Sequence, residues 1–285
     1  MTCTCNHISV YKKMGRTDPT NTFTLRRMFE KALIRRFKKL SQLITKVIVE
    51  DDVFGLTNTP MVQASPGRQA FNFPRSGDRV AAFMQWLNQQ VSDGVLEIGN
   101  MSQIGSGVEG AWTNMYVTDS YKRGVQRARY EMNKAGFDVP KIGDSGGINA
   151  VMNAPFHMDR VGLLYTRVFN ELKGITDTML IQMNKVLAQG MIDGDGPRTL
   201  ARKMNAVIKG AGADLSMTDT LGRFIPAERR ARMLAQTEMI RAHHIATVQE
   251  YKNWGTVGVK VQAEWSTSGD DRVCEQCRSL EGKVY

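Results

Sequence analysis

Apolar residues recur at three- and four-residue spacings through most of this chain, and that period commits it to a helical fold. Between Phe23 and Val49 the series Leu25, Met28, Phe29, Ala32, Leu33, Phe37, Leu40, Leu43, Ile44 and Val47 marks one face of a helix. The same period predicts helices over 78–92 (Val80, Phe83, Met84, Leu87, Val91), 111–134 and 158–189. A short helix follows Pro197, and a last long one runs from Ala227 to about Trp254. Glycines punctuate the ends, at Gly136, Gly190 and Gly210. Thr22 or Thr24 can cap the first helix. The segments 50–77 and 139–155, rich in glycine, proline and serine, read as loops.

At Thr256 the period changes to two. Val257, Val259, Val261, Ala263 and Trp265 alternate with Gly258, Lys260, Gln262 and Glu264, the signature of a half-buried strand. A returning strand over Lys283-Val284-Tyr285 would make a two-stranded ribbon. The expected fold class is therefore mainly α with a small C-terminal antiparallel β-ribbon, α+β. The expected organisation is an N-terminal arm with a basic helix and extended linker (1–77), a helical domain (78–255) and the ribbon (256–285).

Between the two expected strands lie Cys274 and Cys277. A Cys-x-x-Cys turn points both sulfurs to one side, as zinc binding requires, but zinc takes four ligands and the pair supplies two. Half a zinc site, a redox pair and two reduced thiols are all compatible with this spacing. Four cysteines in 285 residues are too few for a disulfide scaffold and suit a reducing compartment. Cys3, Cys5 and His7 have poor metal-ligand spacing and fall in a polar terminus expected to be flexible.

The order of residues around this turn resembles the Mu F-type minor head (head morphogenesis) proteins of tailed phages. Thr237-Glu238, Arg241-Ala242, Trp265, Thr267, Asp271-Arg272-Val273, Cys274, Cys277, Leu280, Gly282 and Tyr285 follow that family's pattern position by position. The likeness covers about 155–285 well and 78–155 loosely. The family's closing His and Cys-Arg-Cys segment does not occur within these residues. The resemblance implies a structural, non-enzymatic minor capsid protein inside the head, near the portal vertex. Its partners would be the portal protein oligomer, the major capsid or scaffolding protein, and packaged double-stranded DNA. Head assembly would begin in the host cytoplasm, and a role in DNA packaging or ejection would follow. Two alternatives belong to other classes: a virion-delivered nuclease or toxin-type enzyme, and a free non-specific DNA-binding protein.

Charge agrees with an anionic partner. The formal net charge is +10, from 38 Lys and Arg against 28 Asp and Glu. Much of it sits on the first helix, where Arg26, Arg27, Lys31, Arg35, Arg36, Lys38, Lys39 and Lys46 oppose the apolar stripe. Among these, Arg26, Arg27, Arg35, Arg36, Lys38 and Lys39 are the expected anionic-partner contacts. With no base-reading motif, any nucleic-acid contact would be non-specific. The first helix and the following linker are also expected to bury their apolar stripe on another subunit.

No catalytic set or cofactor-binding loop emerges. Asp144-Ser145-Gly146-Gly147 lacks the lysine of a phosphate loop, and Gly105–Gly110 lacks the βαβ context of a dinucleotide fingerprint. The Asp193–Gly196 turn lacks the acidic twelfth position of a calcium loop. His243 and His244 are adjacent, so on a helix their side chains diverge. Glu238 and Arg241, three apart, can pair on one helix face. No apolar run is long enough for a membrane span, and no signal peptide is visible.

Overall fold

The computed structural model describes residue 18 and residues 20–56, 76–97, 110–210, 225–262, 264–267, 269, 271 and 273–284. Eight α-helices lie within these: α1 (Phe23–Thr45), α2 (Ser76–Val91), α3 (Asn114–Lys134), α4 (Ile148–Met152), α5 (Pro155–Asp193), α6 (Pro197–Lys209), α7 (Ala227–Gly255) and α8 (Glu275–Leu280). π-helical turns extend α1 over Lys46–Glu50 and α2 over Ser92–Leu96.

The apolar stripe expected on α1 is the one buried: Phe29, Leu33, Phe37 and Ile44 are fully enclosed. What covers it differs from expectation. The chain's own α7, α6 and α3 pack against α1, and one core runs from Leu25 to Ala246. The stripe therefore needs no second subunit. Phe29 stacks on Tyr116 of α3 with ring centroids 4.8 Å apart and meets Trp112 edge-on at 5.6 Å. The expected loop after α1 is also anchored at its start. Val53 and Phe54 are buried, and Phe54 meets Phe83 of α2 at 5.2 Å. Most of that loop, residues 57–75, lies outside the described residues, as do Gly105–Gly107 and the extreme N-terminus with Cys3, Cys5 and His7.

The cap of α1 comes from further upstream than Thr22 or Thr24. The Phe23 N–H donates to the Asp18 carboxylate at 2.5 Å, and the Thr22 hydroxyl lies 2.6 Å from that of Thr20 instead. A carboxylate reaching back satisfies an orphan amide and also opposes the helix dipole.

The α3 and α7 helices form the most extensive pair. Gly124 permits it: a Cβ there would stand 2.3 Å from the His243 carbonyl oxygen and 2.6 Å from the Ala246 Cβ. Ser120 donates to the Met239 carbonyl at 2.5 Å along the same seam. The long α5 closes at Gly194, whose φ of +72° turns the chain into α6. Asp195 in that turn pairs with Lys203 at 2.6 Å, so the Asp193–Gly196 acids serve the α5–α6 corner.

The C-terminal β-ribbon is not there. The fold is mainly helical, and no strand forms among the described residues of 256–284. A single antiparallel bridge, Glu264 to Val284, is all that remains of the expected pairing. The reason is how little of the alternating face packs on the helices. Val257, Val261 and Trp265 are 70%, 41% and 40% exposed, and of the described residues of the alternating face only Val259 meets a core, the small cluster of Ala128, Met132 and Val139. A two-stranded pair without a buried face is marginal in water. Gly258, at φ +99°, also turns the chain where the strand would begin.

Candidate functional site

Three places carry chemistry. The first is the cysteine turn. Cys274 caps α8, and the Cys277 N–H donates to its Sγ at 3.3 Å. That donor, together with the neighbouring thiol, lowers the Cys274 pKa from its ordinary value, whereas donating to Cys274 raises that of Cys277. Cys274 is exposed, so the lowered thiol faces solvent.

The residues of the family pattern around this turn close its base. Trp265 N–H donates to the Lys283 carbonyl and Gly282 N–H to the Trp265 carbonyl, both at 2.8 Å. Thr267 N–H donates to the Glu281 carboxylate at 2.7 Å. Gly282, at φ +73°, makes the return that brings Lys283 back to Trp265. Tyr285 and Arg272 of the pattern lie outside the described residues. The two thiols fall short of a zinc site: no group of three or more potential ligands occurs among the described residues.

The second place is the helix segment Thr237–Ala242. Glu238 is buried and takes Arg167 of α5 through both carboxylate oxygens, at 3.1 and 3.3 Å. Arg241 lies 3.6 Å from the same carboxylate, the expected i,i+3 pair. Arg167 could not be read from the sequence, because it stands 71 residues away on another helix. Ala242 is fully buried at the helix contact. His243 points inward and His244 outward, as their adjacency requires. Burial lowers the His243 pKa.

Twelve residues further along α7 lies a buried polar cluster, at the α3–α5–α7 junction, that the sequence pattern did not single out. Glu250 of α7 accepts from Arg129 Nε at 2.6 Å and from Trp254 Nε1 at 2.9 Å. Its other oxygen lies 3.1 Å from His157 Nε2, and His157 Nδ1 lies 3.0 Å from the Tyr121 hydroxyl. Burial alone would raise the Glu250 pKa. The contacts with His157, Arg129 and Trp254 and the Arg129 charge outweigh it and bring it down to about 2. Burial, then the nearby Glu250 charge, push Tyr121 up to about 12. Arg129 also reaches the Ser145 hydroxyl at 3.0 Å, so Asp144–Gly147 is a loop tied to α3. His157 and Tyr121 have no exposed surface. The cluster is a clamp on three helices, closed to any substrate.

The third place is the polar face of α1. Of the six expected contact residues, Arg27, Arg35, Lys38 and Lys39 are exposed and make no ion pair among the described residues. Arg26 and Arg36 are committed within the chain. Arg26 pairs with Asp18 at 3.2 Å. Arg36 pairs with Glu97, donates to the Gly94 carbonyl at 3.1 Å and covers the Trp112 ring at 4.1 Å. No described helix is long and apolar enough to cross a membrane.

No curated protein and no solved structure matches this chain. Residues 181–285, from the second half of α5 through α6, α7 and the cysteine turn, match the family described as Phage Mu protein F like protein, and this match supports the phage Mu F-like family for the chain.

Proposed function

We propose that the chain is a structural component of a tailed-phage head, bound inside it to the portal oligomer and acting in head assembly. The family suggests a phage head morphogenesis protein, and hence a place in the virion beside other capsid components. The observation that carries the finer reading is where the family pattern falls. It places an α5–α7 ion pair at Glu238 and a turn with an exposed thiol at Cys274, an architectural frame with an exposed attachment point. The polar cluster most like catalytic machinery is sealed in the core, which favours structure over the nuclease or toxin reading. The direct test is to purify heads from cells expressing a tagged chain and to mix the isolated chain with portal rings. The chain should appear in heads and co-sediment with the rings. Its absence from purified heads would sink the reading, and presence in heads without portal binding would sink the portal assignment alone.

Zinc enters the same proposal as half a site. Cys274 and Cys277 would supply two ligands, with two more from another segment or subunit. The isolated 285-residue chain should then hold less than one zinc per molecule by elemental analysis. In heads, the Cys274→Ser variant should carry less zinc than the unaltered chain. Stoichiometric zinc in the isolated chain, or equal zinc in the two kinds of head, would refute it.

A further inference from the structure

We infer that the exposed cations of α1 and α6 form one continuous surface for the phosphate backbone of duplex nucleic acid. This rests on the head-protein reading above and assigns it a second contact, formed by a face to which α6 contributes. On α1, Arg27, Lys31, Arg35, Lys38, Lys39 and Lys46 are all exposed. At 100° per residue they fall within an arc of about 120° and along about 28 Å of helix. On α6, Arg198, Arg202 and Lys209 are exposed too, and they lie within about 60° of Asn205 around that helix.

Asn205 is the seam between the two rows. It accepts from the Ser41 hydroxyl at 2.6 Å and donates to the Thr45 hydroxyl at 2.8 Å. Ser41 and Thr45 border the basic arc of α1, so the α6 cations continue it across the helix contact. None of these nine residues makes an ion pair among the described residues, in contrast to Arg26, Arg36 and Lys203, which do. Glu50, exposed at the far end of the π-helical extension of α1, is the acid nearest in sequence to Lys46.

The composition of the face selects the partner. Protein interfaces are enriched in aromatic residues and depleted in lysine, whereas four of the six α1 cations here are lysines. Single-stranded nucleic acid needs exposed aromatic platforms for its bases. No described residue within the arc is aromatic. Phe23, beside it, is overlain by the guanidinium groups of Arg26 and Arg27 at 5.8 and 5.6 Å. Met28 is the one described apolar side chain exposed inside the arc. A straight row of unpaired point charges without stacking groups fits a regular array of phosphates, read without sequence preference.

The test uses the whole chain and a labelled duplex of arbitrary sequence, with binding followed by anisotropy. Affinity should fall by about a thousandfold between about 50 and 200 mM salt, as for six or more phosphate contacts. Replacing Arg27, Lys31 and Lys38 with glutamine should lower the salt slope by about three. Replacing Arg198, Arg202 and Lys209 should do the same independently, at about one per cation removed. Neutralising the exposed Lys134, Lys141 and Lys185, away from this surface, should leave the slope unchanged. Circular dichroism melting would verify that each variant folds. A salt-independent affinity, an equal loss from the control triple, or preference for single strands or polyglutamate over duplex would overturn the inference. If the basic variants still enter heads while the unaltered chain fails to bind duplex, only this contact falls. If the unaltered chain is missing from heads, the head-protein reading falls by itself.

Discussion

Replacing Glu250 with alanine is expected to cost about 3–5 kcal/mol of folding stability, the cost of breaking a buried ion pair from one side. The carboxylate is nearly inaccessible and serves Arg129, Trp254 and His157 at once. Its removal leaves the Arg129 charge buried against Pro140 and Ser145 without a counter-ion. Urea denaturation near neutral pH reads the loss directly. Replacing the whole set with apolar residues of similar volume should cost far less, since no charge is then stranded.

The pH dependence has a defined sign. Glu250 holds its proton less tightly folded than unfolded, with a pKa of about 2 against 4.5. Its contribution is therefore present above about 4.5 and is lost as pH falls toward 2, amounting to about 3 kcal/mol at 1.36 kcal/mol per unit. Tyr121 behaves oppositely. Its folded pKa of about 12 exceeds 10, so its contribution is present below 10 and is lost as pH rises toward 12. The Glu250→Ala variant should lose the acid limb and keep the alkaline one in reduced form, since burial of Tyr121 remains while the Glu250 charge is gone. An unchanged acid limb, or a stability loss below about 1 kcal/mol, would mean the cluster is not the clamp described here.

What was legible in the sequence follows from the range of the forces involved. Helix existence and facing are set by neighbours three and four residues away, so the periods of α1, α2, α3, α5, α6 and α7 could be read directly. The Glu238–Arg241 pair, with the same spacing, was readable for the same reason. Partners brought together by tertiary packing were not. Arg167 on Glu238, and Arg129 and His157 on Glu250, have no local signal linking them. Asp18, which displaces Thr22 or Thr24 as the cap of α1, is five residues from the amide it accepts. The ribbon failed for a related reason. An alternating pattern says which face a strand would bury, but a strand needs something to bury it against, and Val257, Val261 and Trp265 stay exposed while Val259 alone of the described face meets a core. Nor could charge alone separate the free cations of α1 from Arg26 and Arg36, which the fold consumes.

Phe37→Ala should destabilise the chain by about 3–5 kcal/mol, the cost of emptying a filled aromatic site. Phe37 has no exposed surface and lies in the core shared with α6 and α7. Its neighbours Arg35 and Lys38 are exposed, and glutamine at either should change stability by no more than about 0.5 kcal/mol. The contrast separates two accounts of the helix. If its stripe is covered within the chain, the Phe37→Ala loss is the same at every protein concentration, because folding is then unimolecular. If another subunit covered it, the isolated chain would show little loss, and the defect would appear only with assembly. Denaturation midpoints at several protein concentrations, for this variant and the unaltered chain, distinguish the two. The packing of Phe29, Leu33, Phe37 and Ile44 against α3, α6 and α7 requires the first outcome. The basic face of α1 then stands free on a helix already anchored by its other side, ready to meet an anionic partner without refolding.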